Sequence, residues 1–302
     1  MKILLIVNPV SGGVDKQPFL NRAEEICRNY GIDHKVFQTT GVNDQNLLKS
    51  EVQLYKPDKV ASVGGDGTTI FTGTTLMNYD IPMGIVAMGS ANGMAVELSV
   101  NPDPESAFID IIMSELYAKL DLVLINKSYY CMHIGDVGVN ALIVDAYSKD
   151  PNRGMVTYAK YLYEMVTKAT PFQVSISANG EKVSDNYYSI AICNARKYGT
   201  GVPLNLNGSP FDGKFELVMV KNMDAASLIM AGLSKFNEKY YDNNNATVIS
   251  TGRAFVEFDK ARLLQLDGEV IGYFKKLEVE IVRSAITIIT HGGNEYIDKR
   301  LF

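Results

Sequence analysis

A short, continuous apolar run opens the chain at residues 3–7, and strand-like stretches follow at about 34–38, 59–63 and 83–87. A run of four to six such residues without polar alternation suits a strand covered on both faces. Between the runs, apolar residues return at helical spacing. Phe19, Ala23, Ile26 and Cys27 form one such set, Leu47, Leu48 and Val52 another, and a third helical stretch covers roughly 68–77. Strand–helix–strand repetition with short loops predicts an α/β domain with a mostly parallel sheet. Near Leu120 the pattern changes to short alternating runs, at 122–125, 129–134, 172–177, 187–193, 215–220, 254–258, 263–266 and 277–281. That spacing predicts an antiparallel β-sandwich. Helical spacing interrupts it at 155–168 and 225–240. The expected division is an α/β domain over 1–122, completed by 286–302, and a β-sandwich domain over 123–285. The run 285–289 suits either. In the second helix Leu228, Ile229, Met230, Leu233 and Phe236 make an apolar stripe. Such a stripe is more often core packing than a membrane-touching face.

Composition narrows the function classes. The chain has 302 residues, 46% of them hydrophobic and 21% charged, which is an ordinary globular balance. The formal net charge of -5 and the lack of a basic block argue against nucleic acid as a partner. Cys27, Cys131 and Cys193 are odd in number and sit in apolar runs, as buried thiols of a reducing compartment do. His34, His133 and His291 lack metal-ligand spacing. The opening apolar run is too short for a signal peptide, and no stretch reaches the roughly 20 apolar residues of a membrane span. A soluble cytoplasmic protein is expected.

The strand ends carry the candidate chemistry. Asn8-Pro9-Val10-Ser11-Gly12-Gly13, Gly64-Gly65-Asp66-Gly67-Thr68-Thr69 and Gly89-Ser90-Ala91-Asn92-Gly93 each follow a predicted strand of the first domain. In a parallel sheet the strand ends share one edge, so the three loops are expected to converge. Glycine lets backbone N–H groups approach phosphate oxygens, and a helix opening after Asp66 would add its positive end. Asp66 itself would hold a metal-bound water or accept a hydrogen bond from an attacking hydroxyl. On that reading its removal abolishes the chemistry and leaves the melting temperature almost unchanged. No GxxxxGK[ST] loop is present, and no G-x-G-x-x-G follows the first strand, which disfavours P-loop kinases and common dinucleotide dehydrogenases. Two further sites lie in the second domain. Phe211-Asp212-Gly213-Lys214 suits either an Asx turn or a cation ligand. Leu266-Asp267-Gly268-Glu269, taken alone, reads first as a type I′ hairpin turn.

Taken together and in order, these motifs resemble the diacylglycerol kinase catalytic-domain family, which includes soluble bacterial lipid kinases and the sphingosine and ceramide kinases. The resemblance also takes in Gly135-Asp136-Val137-Gly138, Arg153-Gly154 before Tyr158-Ala159-Lys160-Tyr161, and Cys193-Asn194. It implies an ATP- and Mg²⁺-dependent lipid kinase whose nucleotide lies between an α/β domain and a β-sandwich. Asn8, Pro9, Ser11 and Gly12 match the family's opening motif. Gly64, Gly65, Asp66, Gly67, Thr68, Thr69 and Ile70 match its nucleotide loop. Thr39 or Thr40 matches a nucleotide-contacting threonine. Gly89, Ser90 and Asn92 match its Gly-Thr-x-Asn loop, with Ser90 keeping the hydroxyl. Gly93 stands where many members carry Asp. The resemblance makes Asp267 or Glu269 the base that takes the lipid hydroxyl's proton, and gives Mg²⁺ to Asp212 with the carbonyls of Ser209 and Lys214. The implied partner is a lipid substrate at a membrane surface, and sandwich edge strands offer a route to a homodimer. An NAD kinase shares the Gly-Gly-Asp-Gly loop and the architecture, and a nucleotide-binding regulator without catalysis is the alternative from another class.

Overall fold

The structure is a computed structural model, and it describes residues 1–150, 152, 155–197, 204–205, 207–222 and 246–296. The expected helix at 225–240 and the Arg153-Gly154 pair lie outside the described residues. The chain forms two compact units, Met1–Asp121 with Arg283–Phe302, and Leu122–Val282.

In the first unit the predicted stretches become strands β1 (Lys2–Val7), β2 (Asp33–Gln38), β3 (Lys59–Gly64) and β4 (Met83–Ala87). They pair in parallel in the order β2-β1-β3-β4. The register aligns their carboxyl ends: Val7 lies opposite Gln38 and Val63, and Gly64 opposite Ala87. The run at 285–289 joins this sheet, with Ile288 pairing in parallel with Met83.

Helices α1 (Gln17–Asn29), α2 (Asp44–Tyr55) and α3 (Asp66–Leu76) follow the first three strands. Two more, α4 (Gly93–Glu97) and α5 (Pro104–Met113), follow β4 without having been anticipated. The α5 start was legible in principle: Asp103 accepts a hydrogen bond from Ser106 N at 2.8 Å, and Pro104 sits in the first turn. At its other end the buried Lys59 ammonium donates to the carbonyls of Ile111, Ile112 and Ser114 at 2.8–3.2 Å. A cation there complements the helix dipole and satisfies carbonyls that the helix leaves unpaired. Phe19 of α1 meets Phe108 of α5 edge-on, ring centroids 5.9 Å apart. They share a core with Leu5, Val63 and Val86, where each fully buried side chain contributes about 1.5–3 kcal/mol.

The second unit is antiparallel. Strands β5 (Tyr117–Ile125), β6 (Tyr129–Cys131), β7 (Ile134–Gly138), β8 (Phe172–Ala178), β9 (Glu181–Tyr187), β10 (Ser189–Cys193), β11 (Phe215–Val220), β12 (Ala246–Thr251), β13 (Arg253–Leu266) and β14 (Glu269–Ile289) supply it. β9 was missed because its sequence EKVSDNY is mostly exposed and carries almost no apolar signal. β13 and β14 each join two runs that the sequence separates. β13 pairs β8 through residues 254–258 and β7 through residues 264–266, with the register against β14 shifting between them. A bulge lets one strand turn from one partner to another. Helices α6 (Val139–Lys149) and α7 (Met155–Lys168) interrupt the strands, and α6 was not foreseen. Val137, Phe172, Val174, Ile192, Phe215, Leu217, Val256 and Leu264 are among the buried residues that fill the sandwich core.

Candidate functional site

The three Gly-rich loops of the first unit meet. β1 and β3 end side by side, with Asn8 N donating to Val63 O at 3.1 Å, and Met88 N donates to Gly64 O at 2.7 Å. A Cβ on Gly89 would lie 2.3 Å from Gly65 Cα, and one on Gly12 would lie 2.7 Å from Met88 O. Only hydrogens fit between these backbones. Gly12 also has φ +64°, a left-handed conformation that glycine adopts without penalty. Ser11 Oγ donates to Asn8 O and Met88 O, both at 3.4 Å. Asn8 Oδ1 accepts from Val10 N at 3.1 Å, folding the loop through Pro9.

The third loop is closed by Asn92, whose amide accepts from Gly89 N and donates to Gly89 O, both at 2.9 Å. Its φ of +55° is one that asparagine tolerates better than most residues. Ser90 is exposed on this loop. Thr39 N lies 2.9 Å from Val7 O, which puts the residue at the same sheet edge. The Thr40 hydroxyl is held locally, donating to Asp44 Oδ1 at 2.9 Å.

Asp66 does more than the sequence suggested. Its two carboxylate oxygens accept from Gly93 N at 3.0 Å and Met94 N at 3.2 Å, so it ties the second loop to the start of α4. The expectation that removing this carboxylate leaves the melting temperature almost unchanged is therefore corrected. Asp66→Ala should lower stability by about 1–2 kcal/mol, as loss of a helix-capping acceptor does, and a urea unfolding curve checks it. Along α3, Thr69, Thr72, Thr74 and Thr75 return their hydroxyls to the carbonyls of Gly65, Thr68, Ile70 and Phe71 at 2.8–3.1 Å. Thr68 is the exception: its buried hydroxyl has no partner among the described residues. Lys16, which no motif marked, is buried beneath the first loop and donates to Ser11 O at 2.6 Å and Val14 O at 2.8 Å. Burial lowers its pKa, with Asp15 opposing.

In the second unit, Leu266-Asp267-Gly268-Glu269 is a hairpin turn, as its sequence alone suggests. Leu266 pairs with Glu269 across it, and Asp267 and Gly268 have φ of +49° and +86°, as a type I′ turn requires. The same turn also anchors a carboxylate. Asp267 Oδ2 accepts from Met132 N at 2.8 Å, and Oδ1 accepts from His133 N at 2.9 Å, Ile134 N at 3.1 Å and the Cys131 thiol at 3.2 Å. Burial raises the pKa of Asp267, and the donated hydrogen bonds oppose it. Burial and the charge of Asp267 push the Cys131 thiol well up. Glu269, two residues on, is exposed and has no hydrogen-bond or ion-pair partner among the described residues.

A buried polar chain backs the turn. Gly268 N donates to Gln265 Oε1 at 2.9 Å, Gln265 Nε2 donates to Asp136 at 2.5 Å, and Asn140 Nδ2 donates to the same carboxylate. Asp136 belongs to the Gly-Asp-Val-Gly motif. Gln265 was missed, although a glutamine inside the apolar run Leu263–Leu266 was the available signal. Asn194 of the Cys-Asn motif supports the strand that grips Asp267, its Nδ2 donating to Met132 O at 2.8 Å.

The Asp212 loop is an Asx turn, with Lys214 N donating to Asp212 Oδ1 at 2.9 Å and Gly213 at φ +75°. Phe211 N donates to Ser209 Oγ at 3.4 Å. Glu216, two residues on from Lys214, is buried, and its pKa is raised by burial and by the charge of Asp212. Two neighbouring carboxylates and oxygen donors suit a hard cation. Among the described residues no group of three or more His, Cys, Asp or Glu side chains could hold a metal ion. A cation here would thus depend on backbone carbonyls as well, and the residues fit Mg²⁺ on those terms.

Known proteins agree with this layout. The family model for the diacylglycerol kinase catalytic domain matches residues 2–125, and the model for the YegS C-terminal NAD kinase beta sandwich-like domain matches residues 133–290. A diacylglycerol kinase of Bacillus subtilis (strain 168) is 21% identical over 297 residues, covering 97% of this chain and 98% of that protein. A diacylglycerol kinase of Mycobacterium tuberculosis is 24% identical over 236 residues, covering 76% of each. A crystal structure of a diacylglycerol kinase from Bacillus anthracis str. Sterne superposes with a TM-score of 0.70 at 19% identity, covering 96% of this chain and 97% of that one, which supports the fold. With an α/β catalytic domain followed by a β-sandwich, matched together over nearly its whole length, the chain belongs to the diacylglycerol kinase catalytic-domain family.

Proposed function

We propose that this chain is an ATP-dependent lipid kinase that transfers the γ-phosphoryl group to a hydroxyl of a diacylglycerol- or sphingoid-type lipid at a cytoplasmic membrane surface. Family membership supports the reaction class. The observation that carries the assignment to this site is the contact of three strand-end loops through glycine backbones, which gathers them beside the start of α3 on one edge that a polyphosphate can approach closely. The start of α3 adds a partial positive charge, and Thr68 adds a buried hydroxyl without an acceptor. Thr39, after β2, and Ser90, after β4, would contact the nucleotide from strand ends on either side of β1 and β3.

Transfer forms a bond between γ-phosphorus and the lipid oxygen as the bond to the β,γ-bridging oxygen breaks, and ADP leaves. The lipid hydroxyl's proton goes to Glu269, which is the available carboxylate of the hairpin, while Asp267 is the anchor that fixes the turn. Asp66 serves as a positioning group, holding the third loop against the second. Mg²⁺ would be held by Asp212 with the carbonyls of Ser209 and Lys214, and when bound it would supply neutralising charge. Among the described residues no helix is long and apolar enough to cross a membrane, in keeping with peripheral access to the lipid.

The test is an assay with γ-labelled ATP offering diacylglycerol, sphingosine and NAD in separate reactions, with the product identified by mass. Label in the lipid product is expected. Label in NAD alone would make the chain an NAD kinase, and ATP binding without transfer to any acceptor would make it a regulator.

A further inference from the structure

A cavity lies in the sandwich unit, and neither Asp267 nor Glu269 lines it. It exists because α7 ends at Lys168, the chain turns through Ala169 and Thr170 into β8, and the β13 bulge pushes Lys260 and Ala261 outward. The space between them is about 310 Å³. That is at the small end of the range, about 300–1,000 Å³, that small-molecule sites occupy. Its wall is apolar, with Leu142 of α6, Met165 of α7, Phe172 of β8 and Leu263 of β13. Its charged residues are Lys168, Lys260 and Arg262, and none of the described residues lining it is acidic.

The three cations are not equivalent. Lys168 is paired with Glu164 at 2.7 Å. Arg262 is paired with Asp259 at 2.9 Å and lies over the Phe172 ring, 4.4 Å from its centroid, so it acts as part of the wall. Lys260 forms no close ion pair among the described residues, although its charge helps to lower the pKa of Asp259, and it is exposed. An apolar slot with an exposed ammonium at its rim and no acidic residue in its lining matches an amphiphile that is apolar at one end and anionic at the other.

We propose that this cavity binds a single-chain amphiphile with an anionic headgroup, the chain lying between α6, α7 and β13 and the carboxylate or phosphate meeting Lys260. The volume suits one alkyl chain rather than a diacyl lipid. The anionic head separates this ligand from a neutral hydroxyl-bearing acceptor. The site therefore goes beyond the kinase reading and stands whether or not phosphoryl transfer is found.

The experiment uses the full chain without nucleotide. Decanoate, decyl phosphate, decanol and decylammonium are titrated below their micellar concentrations, by calorimetry and by thermal shift. Decanoate and decyl phosphate should each bind one per chain and raise Tm, and their relative affinity tells the carboxylate from the phosphate source. Decanol should bind at least about tenfold more weakly, and decylammonium weaker still. Lys260→Glu should weaken both anions by at least about tenfold while leaving decanol unchanged. Leu142→Trp, at a half-exposed helical position, should fill the slot and abolish binding of every probe; if it fails to fold, Met165→Trp reads the same property. Equal binding of decanol and decanoate, or anion binding indifferent to Lys260→Glu, would overturn the proposal. So would an equal Tm shift from inorganic phosphate alone.

Discussion

Glu269→Gln should lower kcat by about 10²–10⁴-fold, the usual contribution of a general base, with the melting temperature unchanged. The carboxylate is exposed and unpartnered among the described residues, so the fold loses nothing when its charge goes. Asp267→Asn should behave in the opposite way. An asparagine could keep its oxygen where Oδ1 takes the thiol and the two N–H groups of His133 and Ile134. Its NH₂ would then face the N–H of Met132, donor against donor. Leaving that group unsatisfied costs about 1–3 kcal/mol, read by urea unfolding, and turnover falls only as far as the turn is displaced. Full activity in Glu269→Gln, with loss of turnover but not stability in Asp267→Asn, would reverse the two roles.

Gly89→Ala should reduce kcat/KM for ATP by about 10²-fold or more, because a misplacement on the order of 1 Å at a positioning loop has that effect. The new methyl would stand 2.3 Å from Gly65 Cα and 2.8 Å from Asn92 Oδ1. The first of these is backbone and cannot swing aside. Gly292→Ala is the matched control, since nothing lies within 4 Å of a Cβ there. Calorimetric titration with ATP should show affinity lost in the first variant and kept in the second. Unchanged ATP affinity in Gly89→Ala would detach nucleotide binding from the contact between the loops.

The parallel sheet was legible because a strand covered on both faces tends to be apolar throughout, as residues 3–7 are. Convergence of the loops followed from topology, since parallel strands end on one edge. What did not show was any role set by a distant partner. Asp66 meets N–H groups 27 and 28 residues away, and Asp267 meets Met132 across 135 residues. A motif gives the residue type and not which backbone it will find. The hairpin signal at Asp267-Gly268 and the anchored carboxylate are both present, because a side chain and its own backbone can do different work. α6 escaped notice because its buried residues, Val139, Ala141 and Ile143, follow directly on the β7 strand pattern without a break. β13 was divided into two runs because its bulge carries the polar residues Asp259 and Lys260.

The grip on Asp267 has a further meaning for sequence drift. Three of the four groups that hold it are peptide N–H donors, which every residue but proline supplies. The side chains at 132 and 134 are thus released from the task, and Met132→Leu should leave the hairpin in place, whereas a proline at 132, 133 or 134 should not. Relatives can diverge widely along this strand and still hold the acidic turn in one position.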